Sequence, residues 1–118
     1  MTLQSYSGGC HCGKVHFDVT LDAARVISCN CSFCRKLGSL LAFTTPDRFT
    51  LAAGADALTE YRFNTRKIRH LFCNTCGVES FARGTGPDGK EMVAVNVRCL
   101  DDFDLDAPEI MPFDGKNH

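Results

Sequence analysis

The cysteines constrain this chain more than any other feature. Seven of the eight stand in three tight groups: Cys10 and Cys12 in GCHCG, Cys29, Cys31 and Cys34 in CNCSFC, and Cys73 and Cys76 in FCNTCG. Cys99 stands alone. Sulfurs two or three residues apart suit one metal ion better than long-range cross-links, because two thiolates on a single turn can face the same ion. Scattered cysteines would read instead as the disulfide framework of a small secreted domain. The opening residues Met1 to Gly9 carry neither a basic start nor an apolar stretch, so no secretory signal is read there and the expected compartment is the cytoplasm. Thiols stay reduced in that compartment, and metal is the expectation.

Spacing divides the seven cysteines into a four and a three. Cys29, Cys31 and Cys34 fall in one loop that can wrap three thiolates around an ion. Cys10 and Cys12 are then left to combine with Cys73 and Cys76 in a closed four-thiolate site that clamps the first strand to the middle of the chain. Gly13 and Gly77 follow the two pairs and permit tight turns with N–H groups directed at the sulfurs. Zinc suits such donors by softness and size, and iron also accepts four thiolates.

The three-cysteine loop has two readings. Three protein ligands with one open position is the arrangement of catalytic zinc. Alternatively, Cys99 closes the site from a distant strand end. The setting of Cys99, between an alternating strand and Leu100, favours a packing role, since free cysteine behaves as a small hydrophobe. Three thiolates would leave the zinc complex with one net negative charge, a feeble Lewis acid toward water. Such a centre can still hold an incoming thiol as thiolate, which favours sulfur chemistry over hydrolysis.

The rest of the chain reads as short strands. Lys14–Leu21 alternates, with Val15, Phe17, Val19 and Leu21 on one side. Further strands are expected at Arg25–Ser28, Leu40–Thr44, Arg48–Leu51, Leu58–Phe63, Lys67–Phe72, Val78–Ala82 and Met92–Val97. Turns are expected at Pro46-Asp47, at Asn64-Thr65 and within Gly84–Lys90. Helix signals amount to one turn at Ser32–Leu37 and one near Leu100–Phe103. The tail Ala107–His118 carries two prolines and reads as irregular chain. At 118 residues, 44% of them hydrophobic, this predicts one mainly β domain over residues 1–118, with no linker or repeat. A formal net charge of -1 supplies no field for nucleic acid or an anionic membrane, and no apolar run approaches a bilayer span.

Taken together, GCHCGKVHF, SCNCSFCRKLGS, FCNTCG, VAVNVRCLDD and FDGKNH resemble the glutathione-dependent formaldehyde-activating enzyme family, which includes centromere protein V. The resemblance runs from about Gly8 to Gly115. It implies a β-tent of short antiparallel sheets stitched by two zinc ions. One ion would be structural, on Cys10, Cys12, Cys73 and Cys76, and one catalytic, on Cys29, Cys31 and Cys34. The implied activity is that of a carbon–sulfur lyase, adding glutathione or another thiol to formaldehyde or a similar small aldehyde to give an S-hydroxymethyl adduct. The alternative is a non-catalytic zinc module that binds a partner protein.

Other residues carry weaker signals. Arg35-Lys36 and Arg66-Lys67-Arg69 could pair with substrate carboxylates, though a solvated face explains them as well. His11 and His70 read as neighbours of the four-cysteine site and not as ligands. Asn96 and Arg98, at a strand end, are candidates to face a pocket. Asp101, Asp102, Asp104 and Asp106 form an acidic run without the glycine-containing loop of a calcium site.

Overall fold

The computed structural model describes residues 3–63, 68–86 and 88–117. Their strands are β1 (Gln4–Gly9), β2 (His16–Leu21), β3 (Arg25–Cys29), β4 (Leu41–Thr44), β5 (Phe49–Ala53), β6 (Leu58–Tyr61), β7 (Ile68–Cys73), β8 (Phe81–Thr85), β9 (Glu91–Asn96) and β10 (Glu109–Phe113). One short helix, α1 (Ser32–Leu37), joins β3 to β4. The strands form a three-stranded sheet in the order β1-β2-β5 and a seven-stranded sheet in the order β10-β3-β4-β9-β8-β7-β6. The fold is mainly β, as the short alternating segments predict.

The core lies between the sheets and follows from period-two alternation. Phe17, Val19 and Leu21 of β2 are buried while Asp18 between them is exposed. Val93 and Val95 of β9, with Val97 beyond its end, are fully buried from the opposite sheet. Rings fill the centre: Phe17 lies 5.1 Å from Phe49 and 6.0 Å from Phe81, and Phe49 lies 4.7 Å from Phe81. The Arg83 guanidinium caps this group 5.2 Å from the centroid of Phe49.

Several expected boundaries shift, each for a local reason. The strand expected at Val78–Ala82 is found at Phe81–Thr85, because Val78 is still closing the turn after Cys76 by accepting from the Cys73 N–H at 3.1 Å. The helical turn expected near Leu100–Phe103 lies earlier, as a 3₁₀ turn at Val97–Cys99 capped by the Asn96 side chain. The Pro46-Asp47 turn is likewise 3₁₀. The Asn64-Thr65 turn falls outside the described residues. Two strands carry no clear sequence signal. β1 is polar and glycine-rich, yet pairs with β2 along its whole length. The tail expected to be irregular contains β10, which pairs in parallel with β3 from Glu109↔Arg25 to Phe113↔Cys29. At the sheet edge the ring of Pro112 costs no inner ladder bond.

Candidate metal centres

Strand order brings all the cysteine segments to one end of the large sheet. The pairs β3/β4, β4/β9, β9/β8 and β8/β7 are all antiparallel. So β3, β9 and β7 run the same way. Their C-terminal ends carry Cys29, the Asn96–Cys99 segment and Cys73 to a common rim.

Cys10, Cys12, Cys73 and Cys76 have their sulfurs mutually within 4.8 Å. Cys12 Sγ stands 3.6 Å from both Cys10 Sγ and Cys73 Sγ. A disulfide would need about 2.05 Å, and a tetrahedral zinc–thiolate site with bonds of about 2.3 Å has edges of about 3.8 Å. The observed spacing fits the metal. Gly13 and Gly77 adopt φ of 85° and 80°, the left-handed turn in which a glycine needs no side-chain accommodation. Backbone donors converge on the sulfurs: Val15 N–H on Cys10 at 3.3 Å and Thr75 N–H on Cys73 at 3.4 Å. The N–H groups of Val78 and then Cys12 draw the Cys76 thiol down to about 6, and those of Cys76 and Thr75 lower Cys73. Hydrogen bonds to the charged form prepare these sulfurs as thiolates.

Cys29, Cys31 and Cys34 also lie mutually within 4.8 Å. Cys29 ends β3, Cys31 caps α1 by accepting the Cys34 N–H at 3.3 Å, and Cys34 is the buried residue of the helix. Burial, followed by the neighbouring Cys31 and Cys29, pushes the Cys34 thiol far up, so its ionised form calls for a cation beside it. No fourth His, Cys, Asp or Glu among the described residues brings a ligand atom within that distance of all three. The donor set therefore suits zinc with one position left over.

The tail lies against this loop. Asn30, between two of the cysteines, donates through its backbone to Phe113 O at 3.1 Å and through Nδ2 to Asp114 Oδ1 at 3.0 Å. Its Oδ1 accepts the Lys116 N–H at 3.0 Å. Gly115 passes so close that a Cβ there would run into Cys29 Sγ. Between the tail and the start of α1 is a groove of about 550 Å³ lined in part by Cys29, Cys34, Arg35, Arg98, Phe113 and Asp114. The Arg98 Nε donates to Gly38 O at 3.1 Å, which fixes its guanidinium at the groove.

The remaining sequence candidates separate. Cys99 is half-buried on the four-cysteine side: burial first, then the charges of Cys10, Cys76 and Glu79, raise its thiol to about 11. It does not join the three-cysteine group. Asn96 is buried and structural, accepting from the N–H groups of Leu40 and Arg98 and donating to Glu79 O. Arg69 pairs with Glu60 and Glu91, and Arg66 and Lys67 fall outside the described residues. His11 is exposed, whereas His70 is buried with its Nδ1 3.2 Å from Glu79 Oε2. That pair, which sequence reasoning missed, has no local signal: Glu79 precedes β8 and reaches back to β7 from the segment after the Cys73–Cys76 turn. The acidic run from Asp101 to Asp106 is exposed.

Comparison with known proteins agrees with the cysteine pattern. A family model described as glutathione-dependent formaldehyde-activating enzyme matches residues 5–114. The chain is also similar to a Rhodobacter sphaeroides protein of known crystal structure, at 34% identity and a TM-score of 0.81. That similarity covers 91% of this chain and 99% of the other. No helix of the described residues is long and apolar enough to cross a membrane.

Proposed function

Because the chain belongs to the glutathione-dependent formaldehyde-activating enzyme family, we propose that it adds a thiol, glutathione or one like it, to formaldehyde or a similar small aldehyde. In this reading a structural zinc sits on Cys10, Cys12, Cys73 and Cys76, and a catalytic zinc on Cys29, Cys31 and Cys34. The observation that carries it is a three-thiol cluster, with no fourth ligand among the described residues, at the wall of a groove that also holds two guanidinium groups.

The reaction needs no redox partner and no leaving group. The thiol sulfur forms a bond to the carbonyl carbon, the C=O π bond opens, and the proton lost from sulfur ends on the new hydroxyl. A zinc ion held by Cys29, Cys31 and Cys34 would keep the sulfur of a bound thiol ionised. The chain's own residues supply orientation. Arg35 and Arg98 attract the carboxylates of a substrate such as glutathione and limit the directions from which its sulfur enters. The tail, tied to Asn30, forms one wall of the groove beside Cys29.

Exchange spectroscopy with ¹³C-labelled formaldehyde and glutathione tests the reading, since it follows hemithioacetal formation at equilibrium. The expected result is faster exchange with the wild-type protein and none above background with Cys31→Ser. Background exchange with the wild type, for glutathione and for smaller thiols, would refute it.

A further inference from the structure

Ser39 stands where α1 hands the chain back to the large sheet. Gly38 closes the helix in the left-handed conformation, with a φ of 77°, and donates its N–H to Cys34 O at 2.8 Å. The next strand, β4, runs antiparallel to β3 with Leu41 opposite Ile27. Continued two residues toward the rim, that register sets Ser39 across from Cys29 and on the same face. Ser39, Cys29 and Cys34 accordingly line one groove, the one that also holds Arg35 and Arg98.

Ser39 is 6% exposed. Among the described residues its hydroxyl has no hydrogen-bond partner, whether a backbone group or a cysteine sulfur. Ser80 Oγ is also without a partner, but that atom is sealed from solvent. Ser39 Oγ is not sealed in this way, and the surface that Ser39 keeps belongs to the groove. Burying a hydroxyl without a partner costs free energy, and alanine would fill the position at less cost. The residue is also held from both sides. Arg98 Nε donates to Gly38 O just before it at 3.1 Å, and the Leu40 N–H just after it donates to Asn96 Oδ1 at 3.4 Å. Leu40 O in turn accepts the Val97 N–H at 2.8 Å. A donor fixed in advance, shielded from bulk water and lacking a partner, suits charge that develops only during a reaction.

We propose that Ser39 Oγ–H donates a hydrogen bond to the aldehyde oxygen as sulfur adds to the carbonyl carbon. The proposal rests on the thiol-addition reading and names the group that meets the oxygen. As the sulfur–carbon bond forms, the π pair of the C=O moves onto oxygen, which gains negative charge. The hydrogen bond from Ser39 strengthens as that charge grows, so it favours the transition state over the free aldehyde. The proton lost from sulfur ends on this oxygen, and Ser39 keeps its own. In the reverse direction the same bond steadies the alkoxide from which the thiol leaves.

The test compares wild type, Ser39→Ala and Ser80→Ala, all zinc-loaded, by exchange spectroscopy with ¹³C-labelled formaldehyde and glutathione. Ser39→Ala should lower the maximal exchange rate about 10²-fold, the usual loss for one oxyanion donor, and leave the KM for glutathione within about twofold. Ser80→Ala removes the sealed hydroxyl and should match the wild type. Zinc content and melting temperature of Ser39→Ala should also match. A second readout needs no turnover: calorimetry with glutathione sulfonate, which carries anionic oxygens at the sulfur, and with S-methylglutathione, which carries none. Ser39→Ala should bind the sulfonate at least fivefold more weakly and S-methylglutathione equally well. Full activity of Ser39→Ala, a loss confined to the KM for glutathione, or a loss of zinc would overturn the proposal. Absent sulfonate binding, or equal binding by Ser39→Ala and wild type, would overturn it as well. Background exchange by the wild type would instead sink the thiol-addition reading, and the sulfonate comparison would still decide whether Ser39 serves an anionic oxygen in the groove.

Discussion

Replacing Gly115 by alanine isolates the contact between the tail and the three-cysteine loop. The φ of Gly115 lies outside the left-handed region, so the alanine backbone is tolerated and only the new methyl group matters. That methyl would overlap Cys29 Sγ and sit 3.4 Å from Cys31 Cβ. Restoring an ordinary contact of about 3.5–4 Å requires the tail to lift by roughly 1 Å. Three hydrogen bonds resist: Asn30 N–H to Phe113 O, Asn30 Nδ2 to Asp114 Oδ1, and Lys116 N–H to Asn30 Oδ1. Each contributes about 0.5–1.5 kcal/mol net. Weakening two of them therefore costs about 1–3 kcal/mol, the same range as overpacking elsewhere. Part of this should appear as easier opening of the loop, since about 1.4 kcal/mol is tenfold in an equilibrium constant. The assay is zinc release to a chromogenic chelator, which resolves two ions if they leave at different rates. Gly115→Ala should speed the loss of one ion about tenfold and leave the other unchanged. Lys116→Ala, which keeps the backbone N–H, should match the wild type. Equal release from Gly115→Ala and the wild type would mean that the tail does not rest on Cys29.

Three further outcomes follow from the same geometry. Protein purified without added metal should carry close to two zinc ions per chain by elemental analysis; one or none, with cysteines oxidised in pairs, would refute the assignment. Cys73→Ser should unfold or aggregate the protein, because a structural zinc contributes folding free energy directly, while Cys31→Ser should stay folded with one ion; identical melting of both, far below wild type, would remove the division into two kinds of site. Cys99→Ala should cost on the order of 1 kcal/mol in denaturant unfolding and leave zinc content intact, and faster loss of an ion would make Cys99 a ligand.

The sequence by itself determined the chemistry at short range. Cysteines two or three apart share a turn whatever the rest of the chain does, so the pairs, the three-membered loop and the glycines after them were legible at once. Hydrophobic alternation was equally legible in β2 and β9, where Phe17, Val19, Val93 and Val95 are buried in the core. The grouping of Cys10 and Cys12 with Cys73 and Cys76 followed by elimination, and the structure brings the same sulfurs together. Other features were decided only in three dimensions. β1 and β10 have little apolar pattern of their own, because each is held by ladder bonds to a neighbour already in place. The tail reaches Cys29 only because β10 runs parallel to β3, and Cys99 lies by the four-cysteine site only because β9 ends at the same rim as β7, one strand away across β8. His70 and Glu79 pair, and Phe33 stacks on Tyr61 and Phe63, through strand register and helix placement. Spacing along a chain fixes which groups can meet within a turn. Which turns meet one another depends on strand order and register, set by burial summed over distant segments, and a local pattern does not carry that sum.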